Sequence, residues 1–372
     1  MAALLYIAFM AGYIYEDSDS LIVYNDTLTM CGQHIYNHKI HIADTARLLV
    51  RTWTGSDSTG WLVLNAPDIR IEGLSAICGH GAGYWGGTNT HPDGYGPGYG
   101  VAGNLGGGAG GGAGYGGTGG NGGGSPGTGG IVYGNSSDTL IQMGSGGGAG
   151  RLGGVEGFGG NGGAAICIRA GTLAIDSSLI TANGETGDTA AMVAGGGGSG
   201  GGIMLWADSI MVNGTALEAN GGPGGPVDPE YGFGGGGAGG GRVKIFYTTF
   251  IDTSALSISA QGGDAGIGGY GNGQPGLPGT IYVDQIVSVL EVVHETSVMC
   301  NIEPSPARNM VHITIGNPPL QLALCDALGR VVMILRLNQI TETINLADLS
   351  AGVYFLKSDR GHGVLAKIVL LR

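Results

Sequence analysis

The chain has 372 residues, 82 of them Gly, and charged residues make up 12%, about half the usual share of a soluble domain. Lys and Arg total 15 against 28 Asp and Glu, a formal net charge of −13. That balance argues against nucleic-acid binding and against a basic membrane-surface helix, both of which need clustered cations. Hydrophobic residues at 42% supply a core, so simple disorder is also a poor description. Gly is segregated: 73 of the 82 lie between residues 71 and 280, and the other 162 residues share nine.

The first element is the apolar run from Ala2 to Gly12. It is too short to span a bilayer but has the length of a signal-peptide core, with small residues at Ala11 and Gly12. No Lys or Arg precedes it, so a buried first strand is the competing reading; residues 1–14 are assigned as a candidate signal peptide. No other run approaches 18 apolar residues, and no transmembrane anchor is expected. Asp17 and Asp19 could touch a calcium ion but lack further spaced oxygen ligands. Cys31, His34, His38 and His41 have zinc-like spacing. Strand alternation, however, puts His38 on the face of Ile40 and Ile42 and His41 on the other. No metal site is expected. The five cysteines lie far apart and are odd in number, which implies no disulfide framework.

Three apolar blocks then superpose. Ala165–Ala170, Leu173–Ile175 and Ile180–Gly184 match Gly202–Ala207, Ile210–Val212 and Leu217–Gly221. Arg242–Tyr247 and Ile258–Gly262 form the next copy, with offsets of 37 and 40 residues (Ile166 to Ile203 to Val243). An earlier copy starts at Trp61, continues through Ile69–Ile71 and ends near Gly79. Recurrence at this period marks a repeat fold, and the period-two alternation marks its blocks as strands. The predicted fold class is all-β: a right-handed β-solenoid-like repeat region over residues 15–285. Ile203 and Leu205 sit in its aliphatic ladder.

Between the strands lie Gly tracts, including a long insert over 79–163. Gly116–Gly123 keeps a period of three, which suits a left-handed extended helix with its backbone groups pointing outward. Floppy linker is the alternative, since Gly is costly to order. Return of the tracts at one place in each repeat favours ordered polyglycine packing. Tyr84, Tyr95, Tyr99 and Tyr115 interrupt the tracts and suit a surface-displayed region.

No Gly-rich stretch opens a helix and no Gly-Lys-Ser/Thr occurs, so no cofactor is expected. Asp68 and Glu72 share parity in one strand segment, and Asp176 and Asp208 fall near repeat corners. With no Arg or Lys groove beside them they read as solvated edge residues, and no catalytic residue is assigned.

After residue 285 the composition changes, with only five Gly from 281 onward. Residues 286–302 read as a linker. Six or seven short alternating runs follow, from Val311–Ile315 to Ala366–Leu371, and predict a small immunoglobulin-like antiparallel sandwich over 303–372. Glu303-Pro-Ser-Pro-Ala-Arg-Asn309, Cys325-Asp-Ala-Leu-Gly-Arg-Val-Val332, Ile344–Lys357 and Lys367-Ile-Val-Leu-Leu-Arg372 occur in that order. Together they resemble the C-terminal sorting domain of the type IX secretion system, with Glu303 and Ser305 departing from its usual entry motif. The matching positions are Pro304, Pro306, Asp326, Gly329, Arg330, Leu349, Gly352, Tyr354, Lys357 and Lys367. The resemblance implies passage through the periplasm to the outer surface, with outer-membrane secretion and sorting machinery as partner. It is silent on the cargo. The expected function is that of a secreted or surface-attached, non-enzymatic structural or adhesive protein. Faces such as Tyr84, Trp85 and Trp206 would stack on glycans, or the body would pack on neighbouring chains. The alternative is a secreted polysaccharide-acting enzyme on the same scaffold.

Overall fold

The computed structural model describes residues 12–253, 255–286, 300–303, 307–315, 320–326, 330–358 and 364–371. Among them every regular element is a β-strand. The chain divides into two compact units, Met1–Ile286 and Val287–Arg372, each with its own sheets.

The larger unit builds two parallel sheets together. The first runs through Ser20–Tyr24, Lys39–Ala43, Trp61–Ile71, Ala165–Asp176, Gly202–Asn213, Arg242–Asp252 and Thr280–Gln285. The second runs through Thr27–Met30, Arg47–Val50, Ala76–Cys78, Leu179–Thr181, Thr215–Glu218 and Leu256–Ser259. The chain visits the two alternately, so each circuit adds a strand to both. In the first sheet Leu62, Ile166, Ile203 and Val243 pair in line, as do Leu64, Ile168, Leu205 and Ile245. Leu48, Ile77, Ile180, Leu217 and Ile258 line up in the second. The pairing carries the 37- and 40-residue offsets of the sequence. These rows form one core, and each fully buried aliphatic side chain contributes about 1.5–3 kcal/mol.

Leaving the first sheet for the second demands a sharp corner, and residues there take the left-handed conformation. Asn25, Asp44, Gly73, Ser177 and Gly214 occupy it, with φ between 46° and 68°. Asn and Asp bear that conformation more easily than most residues, and Gly bears it without strain. Adjacent corners bond to one another: Ser177 N–H donates to the Asn213 carbonyl, and Leu74 N–H to that of Ser177.

The Gly tracts that return the chain from the second sheet to the first are ordered by backbone hydrogen bonds. Gly110 N–H donates to Ala194, Gly111 to Val101 and Gly112 to Gly120; Ala113 then returns to Gly197 and Gly114 to Gly98. The acceptors follow suit, with Gly110 and Ala113 carbonyls taking bonds from Gly236 and Gly239. Three successive residues thus face three neighbours, and the fourth faces the first again. This is the period of a polyproline II-type helix, whose polar groups all point outward and here meet other backbones instead of water. Such contact leaves no room for side chains. A Cβ on Gly110, Gly111 or Gly112 would overlap the carbonyl oxygen of Gly148, Thr128 or Gly237. Ala109, Ala113, Ala194 and Ala238 mark the few directions where a methyl fits, and all are fully buried.

Tyr115 departs from the sequence expectation. Tyr99 is exposed and Tyr84 and Tyr95 half-buried, but Tyr115 is 1% exposed and not displayed at all. It ends a Gly tract beneath a strap, residues 131–143, that lies over the outer face of the first sheet. The Arg242 guanidinium sits 5.3 Å from its ring centroid, and burial pushes its phenol up to about 12. Two cations projecting from the sheet hold this strap. Arg242 Nη2 donates to the Tyr133 and Gly134 carbonyls. Lys244, 1% exposed, donates from Nζ to the carbonyls of Asn135, Asp138 and Leu140 and to Asp138 Oδ1 at 2.7 Å. Ile141 completes the seal against Cys167, Met204 and Phe246.

The smaller unit has two antiparallel sheets. One joins Cys300–Glu303, Met310–Ile315 and Thr341–Asn345; the other orders Val331–Leu337, Leu320–Cys325, Gly352–Ser358 and Val364–Leu370. Alternate residues of both, such as Val311, Ile313, Leu322, Leu324, Leu356 and Ile368, share one core. Two boundaries move relative to the sequence reading. Cys300–Glu303 pairs with Met310–Ile315, so the linker ends before residue 300 rather than at 302. Its four residues are too few to show alternation. At the other end Tyr13 and Ile14 pair with Tyr24 and Val23, inside the segment assigned to a leader; residues 1–11 of that segment lie outside the described residues.

Gly112→Ala should lower stability by about 1–3 kcal/mol or more, because the obstructing atoms are backbone. Gly106→Ala, where a Cβ meets nothing within 4 Å, should be neutral or stabilising by about 0.4–1 kcal/mol. Thermal melts of the pair measure the contrast. Lys244→Met should cost about 1–3 kcal/mol by leaving its acceptors unmet, and should speed amide exchange over 131–143. The Lys244 bond holds the Asp138 carboxyl below its ordinary value. Its contribution is therefore complete above about pH 4 and is lost as pH falls through the folded-state value, which strap exchange against pH will report.

Candidate functional site

Outward residues of the first sheet form rows as regular as those of the core. Val63, Cys167, Met204, Lys244 and Tyr282 lie in register, toward the strap. Two residues on, Asn65, Arg169, Trp206, Phe246 and Asp284 form the next row. The long strands then change phase. Leu62, Leu64 and Ala66 point inward, but so do Ile69 and Ile71; the same slip follows Ala170 and Ala207. The slip falls on Pro67, Gly171 and Asp208, which bend the stacked strands together.

That bend makes the outer surface concave. A cavity of about 620 Å³ opens there, between the Asn65–Arg169–Trp206 row, the bend residues and Thr139 of the strap. Ligand clefts typically span about 300–1,000 Å³. Small side chains at Ala170 and Gly171 keep it open. Arg169 is exposed, its guanidinium carbon 5.9 Å from the Trp206 ring centroid. On the other side Phe246 lies 5.5 Å from Trp206, tilted by 43°. Asp208 Oδ1 accepts a hydrogen bond from Thr248 Oγ1 at 2.8 Å. None of the ion pairs among the described residues uses Arg169. The site thus sets a cation over an aromatic face beside amide and carboxylate oxygens.

The sequence pointed to Trp206 and Asp208 separately, and the structure brings them into one groove. Asn65, Arg169 and Thr139 were missed as members. Asn65 and Arg169 occupy the position of Trp206 in successive copies, a signal present in the aligned blocks; Thr139 sits in the long insert and carries none. Tyr84 and Trp85 lie elsewhere, packed edgewise on Trp53 with centroids 5.0 Å away, and Tyr95 and His91 extend the cluster. Those rings spend much of their area on one another.

The paired carboxylates are engaged singly. Asp68 accepts from Arg70 Nε at 3.2 Å, so a cation does stand beside it, contrary to the sequence reading. Glu72 Oε1 meets His41 Nε2 at 2.8 Å. Asp176 Oδ1 accepts from Asn213 Nδ2 across a corner. Of the other histidines, His34 Nε2 bonds the Cys31 carbonyl at 3.0 Å. Asp17 Oδ1 accepts the amides of Asp19 and Ser20, closing a turn, and the Tyr15 hydroxyl bond leads the causes that hold its carboxyl low.

In the smaller unit Asp326 and Arg330 form a turn clasp. Arg330 N–H donates to Asp326 Oδ1, its side chain pairs with Oδ2 at 2.7 Å, and Asp326 N–H donates back to the Arg330 carbonyl. Tyr354 is buried, and its hydroxyl donates to the Ser350 carbonyl at 2.8 Å. Leu349 packs against the core, Gly352 opens a strand on the surface, Lys357 is half-buried and Lys367 exposed. Pro304, Pro306 and Gly329 lie outside the described residues.

No curated protein and no solved structure matches this chain. No helix among the described residues is long and apolar enough to cross a membrane. Residues 301–371 match the family model of the secretion system C-terminal sorting domain, the type IX tail that implies export to the outer surface or the medium and contact with that secretion machinery.

Proposed function

We propose that the protein is a non-enzymatic structural or adhesive component of the outer cell surface. Its body is a right-handed β-solenoid braced by a polyglycine bundle, and its tail an immunoglobulin-like sandwich that serves as the export address. The observation that carries this reading is the mutual satisfaction of the Gly backbones across separate tracts. A body so cross-linked by main-chain bonds resists local opening without disulfides, a property suited to a displayed scaffold. Engagement of Asp68 by Arg70 and of Glu72 by His41 fits a supporting role better than a general acid and base pair.

The test uses a host with the type IX machinery. Removing residues 300–372 should leave a β-rich protein in the periplasm, and cells should lose retention on a polysaccharide-coated surface. Unchanged surface delivery would overturn the export address. Delivery without any effect on retention would overturn the adhesive role, and turnover of a polysaccharide panel abolished by Asp68→Ala or Glu72→Ala would replace it with an enzyme.

A further inference from the structure

We propose that the groove over Arg169, Trp206 and Asp208 binds an acidic oligosaccharide, with a uronate carboxylate on Arg169 and sugar hydroxyls on Asp208 and Asn65. The inference rests on the adhesive reading and names the chemistry that one site would take. Trp206 is flanked by Arg169 and Phe246, so its role departs from the sugar-stacking platform expected from sequence. Its ring steadies the guanidinium by a cation–π contact. An Arg so placed, with no ion pair to a protein carboxylate, is ready for a planar anion, which it can grip with two parallel bonds. Asp208 has one oxygen bonded to Thr248, and its other oxygen is suited to accept a hydroxyl.

A peptide fits this surface less well. Strand addition needs an open sheet edge, and the groove lies across strands that pair on both sides. Recognition must come from side chains, as suits a polyhydroxylated ring. The overall charge of −13 does not forbid an anion, because at physiological salt charges beyond about 8 Å are largely screened. Thr139 ties the site to the strap: both its neighbours, Asp138 and Leu140, accept bonds from Lys244. Lys244 thus braces the groove wall.

Calorimetric titration of the full chain with trigalacturonate, maltotriose and triglutamate, near neutral pH, tests the assignment. Trigalacturonate should bind and the other two should bind at least about tenfold more weakly. Arg169→Gln, an exposed position that should fold normally, should cost about tenfold or more, with Arg169→Lys intermediate. Lys244→Met should weaken binding through the loosened strap. Equal affinity for triglutamate would point to an acidic peptide and overturn the proposal, as would unchanged binding by Arg169→Gln or no binding of trigalacturonate. If trigalacturonate fails while cells bearing the protein still adhere, only the groove assignment falls; loss of adhesion itself would remove the broader reading.

Discussion

Everything in the larger unit depends on backbone meeting backbone without side chains between. An extended helix of three residues per turn directs its N–H and C=O groups outward in three directions, and in water those groups would be solvated. Here Gly110, Gly111 and Gly112 each reach a different strand of the bundle, and the donors and acceptors are met there. Gly loses more conformational entropy on ordering than any other residue, so a lone tract would stay loose. The compensation is collective: a bond for nearly every residue, at a spacing that forbids a Cβ at most positions.

The two parallel sheets supply what the bundle cannot, an apolar core. They also fix where each tract begins and ends, because each circuit leaves the second sheet at the same level and re-enters the first. Register in the ladders therefore sets register in the Gly bundle. The left-handed corners at Asn25, Asp44, Gly73, Ser177 and Gly214 keep the two sheets in step. Against this frame the strap is a local addition, bought with two cations that would otherwise be costly to bury. Lys244 is tolerable at 1% exposure because four acceptors surround its ammonium.

The functional surface comes from an irregularity in that frame. A strand of unbroken alternation would present a flat outer face. Pro67, Gly171 and Asp208 shift the phase by one residue at the same position in three successive strands, and the face becomes concave. Arg169 and Trp206 then stand at its rim as neighbours, although 37 residues separate them. In the smaller unit the Asp326–Arg330 clasp and the Tyr354 hydroxyl bond show the opposite economy, with polar groups spent on holding short strands in place.

The sequence by itself determined the all-β class, the offsets that align Ile166, Ile203 and Val243, and the sorting tail at the C-terminus. Those are local or periodic properties: alternation, recurrence and ordered short motifs survive in one dimension. Trp206 and Asp208 were legible as candidates for the same reason, each standing at a marked place in its copy. Only the tertiary structure decided that Tyr115 is buried, that Cys300–Glu303 is a strand of the smaller unit, and that Thr139 closes a groove over Arg169. Each depends on a partner that the residues themselves do not name: Arg242 for Tyr115 and Lys244 for the strap, both more than 100 residues away, and the nearby Met310–Ile315 for the short strand. Within the Gly tracts the limit is sharper still. Residues without side chains carry no pattern of polarity, so which backbone faces which is set by the sheets that anchor them.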